Sequence, residues 1–234
     1  MTLSEINTKI LAKLEEEAGS SDWWTSVEIK QWVNDLYRET AEELQVCKER
    51  DVTQDSVDGT MAYTLPVPTG YERVLALLGV SYDKKVLSPT SVEELDATVY
   101  RWRNQDEGTP LQYFYDLGEE LTGVSFFPKP GADGDELGYD LVLLPDELGD
   151  DESPKSPFTS GFLLVNGVLA VALAKAGGGR DLDRSEHYWR QYVSGLASFT
   201  KSKHPRKSLQ LGSVESVSIK GSLRLGDHYP PYSF

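Results

Sequence analysis

Any chemistry in this chain would have to be built from three histidines, one cysteine and a surplus of carboxylates. His187, His204 and His228 are scattered. None stands at ligand spacing from another His, from Cys47 or from an acid of a known motif, so no metal centre is expected. The acids Asp133, Asp135 and Glu136 in PKPGADGDELG invite a calcium reading. A calcium loop of the helix–loop–helix kind needs a Gly at its sixth and a Glu at its twelfth position, and that spacing is missing, which leaves a solvated turn as the expectation. Gly177 to Gly179 has no strand before it and no Gly-Lys-Ser/Thr after it, so a helix stop is expected in place of a phosphate loop. There is no Gly-x-Ser-x-Gly elbow and no dinucleotide fingerprint. Carboxylates are plentiful, yet nothing singles out a catalytic pair. The residues point to a chain that is not an enzyme and carries no cofactor.

The elements that would position any site begin with Ser26 to Gln45, the longest unbroken helical pattern. Ile29, Trp32, Val33, Leu36 and Leu44 recur at steps of three and four, with Ala41 at the small step, so one stripe faces a core. Thr25 followed by Glu28 reads as a capping box that starts this helix. Before it, Leu3, Ile6, Ile10 and Leu14 predict a first helix of about four turns ending near Gly19. Trp23 and Trp24 stand between the two, one as a staple onto the second helix and the other as a candidate for neighbour contact, with burial in the core the favoured alternative.

From Asp51 the period changes to alternation. Met61, Tyr63 and Leu65 predict a strand broken by Pro66 and Pro68; Val74 to Leu78 predicts a short apolar strand, and Val80 to Leu87 a hairpin about Asp83 and Lys84. Ser91 and Glu94 repeat the capping-box spacing ahead of a short helix, with Trp102 just beyond it. Leu111 to Tyr115 and Leu121 to Phe127, joined by Asp116 to Glu120, are expected to form an aromatic-rich meander with Tyr139 to Leu144.

After an acidic connector, Leu148 to Pro157, the helical period returns. Phe158, Phe162, Val165, Leu169 and Leu173 lie on one face, and Ala170, Ala172, Ala174 and Ala176 permit close approach. Arg184 to Ser202 gives the last helix, with Tyr188, Tyr192, Leu196 and Phe199 in its stripe. From His204 to Phe234 the chain has no helical period and little apolar surface. It is expected to be an extended arm that orders against something else, with Leu209, Val217, Ile219, Leu223, Leu225, Tyr229, Tyr232 and Phe234 as its interface residues.

These patterns give an α+β fold: four main helices in a bundle (1–50 and 158–203), an inserted antiparallel β meander or sandwich (51–157), and an arm (204–234). The 234 residues carry 38 acidic against 23 basic side chains, a net charge of −15. Such a surface repels phosphate, which argues against an ordinary nucleic-acid binder but suits a wall that DNA slides past. Cys47 cannot form an internal disulfide, consistent with synthesis in a reducing cytoplasm. The N-terminal MTLSEINTKILAKLEEE lacks the basic and apolar regions of a signal peptide, and Phe158 to Ala176, interrupted by Gly161, Asn166 and Gly167, reads as a buried or interface helix rather than a membrane span.

Over residues 3–202 the order of these elements resembles the head-to-tail adaptor, or connector, proteins of tailed bacteriophages. The resemblance is carried by WWTSVEIKQWVNDLYRETAEEL, where Trp24, Ile29, Trp32, Asn34, Arg38 and Glu39 stand at the family's places. It continues through TLPVPTGYERVLAL, VSFFPKP, GYDLVLLPDEL, PFTSGFLLVNGVLAVALAKAG and RSEHYWRQYVSGLASF. It implies a virion structural protein at the capsid vertex, assembled as a ring, twelve-fold by analogy, beneath the portal protein. Such a ring would extend the DNA channel for genome ejection without sequence-specific binding and offer a platform to tail or nozzle proteins. A carbohydrate-binding or other tail-associated module, suggested by the aromatics of Tyr113 to Phe127, and an acid-dependent hydrolase are the competing readings.

Overall fold

A computed structural model describes residues 1–18, 23–115, 121–156, 158–175 and 180–203. Among them the chain runs α1 (Leu3–Ala18), α2 (Ser26–Leu44), β1 (Lys48–Asp55), β2 (Ala62–Thr64), β3 (Tyr71–Tyr82), β4 (Lys85–Val86), β5 (Ser88–Pro89), α3 (Val92–Thr98), β6 (Gln112–Phe114), β7 (Gly123–Phe127), β8 (Glu136–Pro145), α4 (Phe162–Ala174) and α5 (Leu182–Lys203). The fold is α+β, with five helices and two mainly antiparallel sheets. The arm residues from Leu209 to Phe234, the Asp116 to Glu120 joint and Gly177 to Gly179 lie outside the described residues.

Local chemistry sets the helix starts. The Thr25 hydroxyl accepts from the Glu28 amide at 3.2 Å, and the Glu28 carboxylate accepts from the Thr25 amide at 3.1 Å, so α2 begins with both halves of its capping box. Gln45, at φ 48°, ends the helix in the left-handed region. Thr25→Ala is expected to lower stability by about 1 kcal/mol, read as a shift in urea midpoint with unchanged slope. At α3 only half of the predicted box forms: Ser91 Oγ accepts from the Glu94 amide, but the Glu94 carboxylate takes the Thr90 hydroxyl instead.

The stripes of α1 and α2 are buried as expected, with Leu3, Ile6, Ile10, Leu14, Ile29, Val33, Leu36 and Ala41 in the core. Three details differ. Leu44 is exposed, because Gln45 turns the chain away there, and Tyr37 takes a fully buried place in the stripe. The fourth helix starts at Phe162, not Phe158, because Phe158–Ser160 is a single 3-10 turn and Gly161, at φ 66°, breaks the path. Finally, α4 is enclosed on nearly all sides rather than amphipathic, and Phe162, expected in its buried face, is 62% exposed at its mouth. Its small residues serve packing within the chain, where it meets α1 and α2.

The strands are arranged differently from the expected meander. β8 does not follow β6 and β7; it runs through the middle of the first sheet, β1-β8-β3-β4, while the second sheet is β2-β7-β6-β5. Val74 to Leu78 and the hairpin arm after it are one strand, β3, turned into β4 at Asp83 and Lys84, both at positive φ as a tight hairpin requires. Pairing in the second sheet is not wholly antiparallel, since β5 and β6 run parallel. The first strand of this region also begins at Lys48, earlier than the change of period suggests, because β1 is a polar edge strand whose pattern shows little alternation. One apolar cluster holds residues of the helices and of both sheets; a second, smaller one joins Leu95 and Trp102 to Phe114 and Phe127.

Candidate functional site

Helix α2 works in two directions. Its apolar stripe enters the helical core, while Lys30, Asn34 and Arg38, spaced by four and therefore aligned on one face, meet the acidic connector that follows β8. Lys30 Nζ lies 2.6 Å from Asp150. The Asn34 amide grips the backbone of Leu148 from both sides, its Oδ1 accepting from the Leu148 amide at 2.9 Å and its Nδ2 donating to the carbonyl at 3.3 Å. Arg38 bridges Glu147 at 3.3 Å and Glu72 at the start of β3. The connector thus descends Asp150, Leu148, Glu147 as the helix ascends Lys30, Asn34, Arg38. Exposed ion pairs contribute little each, but the Asn34 amide bonds both backbone groups of Leu148 and, with the Leu3 and Ser4 amides that donate to the Glu152 and Asp150 carbonyls, fixes the register of the connector.

Below this row the seam is buried. The Tyr37 hydroxyl accepts from the Lys155 amide at 2.9 Å, and its ring meets Phe158 edge-on at 5.4 Å. Tyr71 donates to Glu49 at 2.6 Å and carries Lys155 over its ring. Burial raises the Tyr37 phenol well above the ordinary tyrosine value; burial, then the hydrogen bond to the Glu49 carboxylate, does the same for Tyr71. Neutral phenols therefore hold the seam fully below the unfolded value of 10.0, and that contribution is lost as pH rises through the higher folded values. The thermal midpoint should fall with rising pH only above about pH 10, and less steeply in Tyr71→Phe.

At the other end of α2, Trp24 is 5% exposed and its indole donates to the Ala172 carbonyl at 2.9 Å. Lys175 then joins Glu28 at 2.7 Å and lies over the Trp32 ring. The Lys175 hydrogen bond is the main reason the Glu28 carboxyl sits below its usual range. Trp23, by contrast, is 52% exposed.

The residues that carried the resemblance are therefore brought together as staples. Trp24 ties α2 to α4, and Asn34 and Arg38 tie α2 to the connector and β3, while Ile29 is core and Trp32 packs on it. Glu39 lies in the last turns of α2 with Glu42, which Arg73 pairs at 2.7 Å, and Glu43, whose carboxyl is raised by burial and by both neighbours. Sequence reasoning missed Tyr37, Lys30 and Lys155. The four-residue ladder from Lys30 to Arg38 was the available signal for one of them, and the step from Val33 to Tyr37 to Ala41 for another.

The other candidate groups do not assemble. His187 meets Gln191 at 2.7 Å on one exposed turn, and His204 and His228 lie outside the described residues. Asp133 accepts the Asp58 amide and Asp135 the Tyr82 hydroxyl, whose phenol burial pushes up to about 12, so the two acids tie the turn to the loop after β1 and to β3. Among the described residues no three His, Cys, Asp or Glu side chains are grouped to hold a metal ion, and no helix is long and apolar enough to cross a membrane. Of the aromatics behind the carbohydrate reading, Tyr113, Phe114, Phe126 and Phe127 are buried in the two cores, and Tyr115 alone is exposed. What the arrangement provides is a helical frame and a strand region locked along one helix.

A family model described as SU10 adaptor protein matches residues 1–213. A search of curated proteins returned no match.

Proposed function

The chain belongs to the SU10 adaptor protein family, a family of phage head-to-tail adaptors with a structural role, and from that premise we propose that it docks as a ring beneath the portal. The ring extends the DNA channel and presents a platform to the tail. Residues 1–50 and 158–203 form the ring wall, 51–157 project towards tail components, and 204–234 reach the portal or a neighbouring copy. Twelve copies close the ring through a heterologous interface, in which one patch of each copy meets a different patch of the next. The match over residues 1–213 carries this reading. Two physical features support it. The net charge of −15 disfavours adhesion of DNA phosphates to the channel wall, and the stapled seam along α2 transmits load between wall and platform without a hinge.

Mixing the purified protein with portal rings of the same phage and imaging by electron microscopy tests the proposal, alongside a variant ending at Lys203. Decorated portals, with decoration weakened by the truncation, are the expected result. Bare portals beside free protein would overturn the adaptor role; decoration unaffected by truncation would remove the arm from it.

A further inference from the structure

Edge strands with apolar side chains are a hazard that folded chains normally cover, and β3 has such an edge. β8 pairs along one side of it from Tyr71 to Tyr82, whereas β4 covers only Ser81 and Tyr82 on the other, with one further bond from the Leu87 amide to the Val80 carbonyl. Among the described residues no hydrogen bond reaches the far side of β3 between Val74 and Gly79. The side chains there are Val74, Leu75, Ala76, Leu77 and Leu78, the last 51% exposed. The other edges are different. β1 is guarded by Lys48, Glu49, Arg50 and Asp51 with a break in register, and β2 and β5 are two or three residues long.

We propose that this open edge of β3 receives, as an added strand, the segment Val217 to Leu225 of a second copy. The proposal rests on the ring reading above and names where its arm goes. Three observations select the occupant. Val217, Ile219, Leu223 and Leu225 fall at steps of two within each pair, the spacing of one strand face. The register of β3 slips at Glu72, Leu75 and Leu78, so its edge is coiled, and Gly221, midway between the two pairs, lets an incoming segment bend to follow it. Charge also selects it: residues 204–234 carry Arg206, Lys207, Lys220 and Arg224 against Glu215 and Asp227, while the remainder holds 19 basic and 36 acidic residues. A basic segment on an acidic body is drawn to its neighbour's surface, and the 13 residues from His204 to Ser216 ahead of it span up to about 45 Å.

The test uses full-length copies assembled on portal rings. One copy carries Leu78→Cys, and its partner carries cysteine at Val217, Ile219, Leu223 or Leu225 in turn. A short bismaleimide links them, and non-reducing electrophoresis and peptide mass spectrometry read the product; Cys47 is buried and stays unlabelled. A covalent dimer joining the Leu78 and arm positions is expected, absent when Thr53→Cys on β1 replaces Leu78→Cys. Decorated portals without that dimer would overturn the edge assignment and leave the adaptor role standing. So would a link from the arm to portal protein, or a link formed only within one chain carrying both cysteines. Bare portals would overturn both readings.

Discussion

Trp24→Ala is expected to destabilise the protein by about 3–5 kcal/mol, the range for emptying a buried tryptophan site. Two losses combine. The ring leaves a cavity between α2 and α4, and the Ala172 carbonyl, in the last turn of α4, loses the shorter of its two hydrogen bonds among the described residues. That carbonyl then keeps the 3.2 Å bond from the Lys175 amide, which the amide shares with Val171, and a lost hydrogen bond of this kind is worth about 1 kcal/mol. Trp24→Phe separates the two, keeping most of the apolar contact and removing only the indole hydrogen bond, so its effect should be less than half as large. Domains of this kind are stable by only about 5–15 kcal/mol, so the alanine variant should show an early urea transition and fail to decorate portals at 37 °C. An alanine variant within 1 kcal/mol of the parent would mean the staple is dispensable.

Gly167→Leu should do damage of similar size, for the opposite reason. An ideal Cβ at Gly167 would stand 2.2 Å from Leu36 Cδ2 and 3.2 Å from the Tyr192 ring, so α2, α4 and α5 converge on a position with no room for a side chain. The Leu36 methyl can rotate away from a single Cβ, and alanine adds helix propensity worth about 1 kcal/mol, so Gly167→Ala is poorly diagnostic. Leucine carries three further carbons into the same space. It must displace Tyr192, whose hydroxyl is hydrogen-bonded to Thr40, at a penalty of about 3 kcal/mol or more. Thermal unfolding of the pair, Leu against Ala, checks the ordering. Equal midpoints would show that the three helices can separate freely.

What the sequence disclosed, and what it hid, follows the range of the forces involved. Thr25 and Glu28 act across three residues, so their capping box was legible, as were the stripes from Leu3 to Leu14 and from Ile29 to Ala41. The turn at Asp83 and Lys84 was legible for the same reason. The position of β8 was not: its apolar run, LVLLP, is equally suited to a meander edge and to a sheet centre, and only contacts with β1, some ninety residues earlier, decide between them. For α4 the misreading came from Phe162, which completes an amphipathic stripe on paper although Gly161 places it at the mouth of the helix. Asn34 and Arg38 were noticed through resemblance, yet their partners Leu148, Glu147 and Glu72 are fixed by topology, and no local rule would have named them. The arm was set apart for lacking a helical period and for its sparse apolar residues, and those residues lie outside the described ones.

The central position of β8 has a consequence for how the chain is made. β1 and β3 flank β8 without touching each other, so a nascent chain that has reached Ala132 holds β1 with no strand partner and β3 paired only at its end, by the short hairpin to β4. The stripes of α1 and α2 wait longer still, because α4, which covers them, ends at Ala174. At translation rates of about 5–20 residues per second, the N-terminal apolar surface stays uncovered for many seconds while the later residues are synthesised. A chain with this wiring completes its core only near the end of synthesis, which makes its yield in the host sensitive to chaperone supply and makes truncations before Lys175 aggregate instead of folding in part.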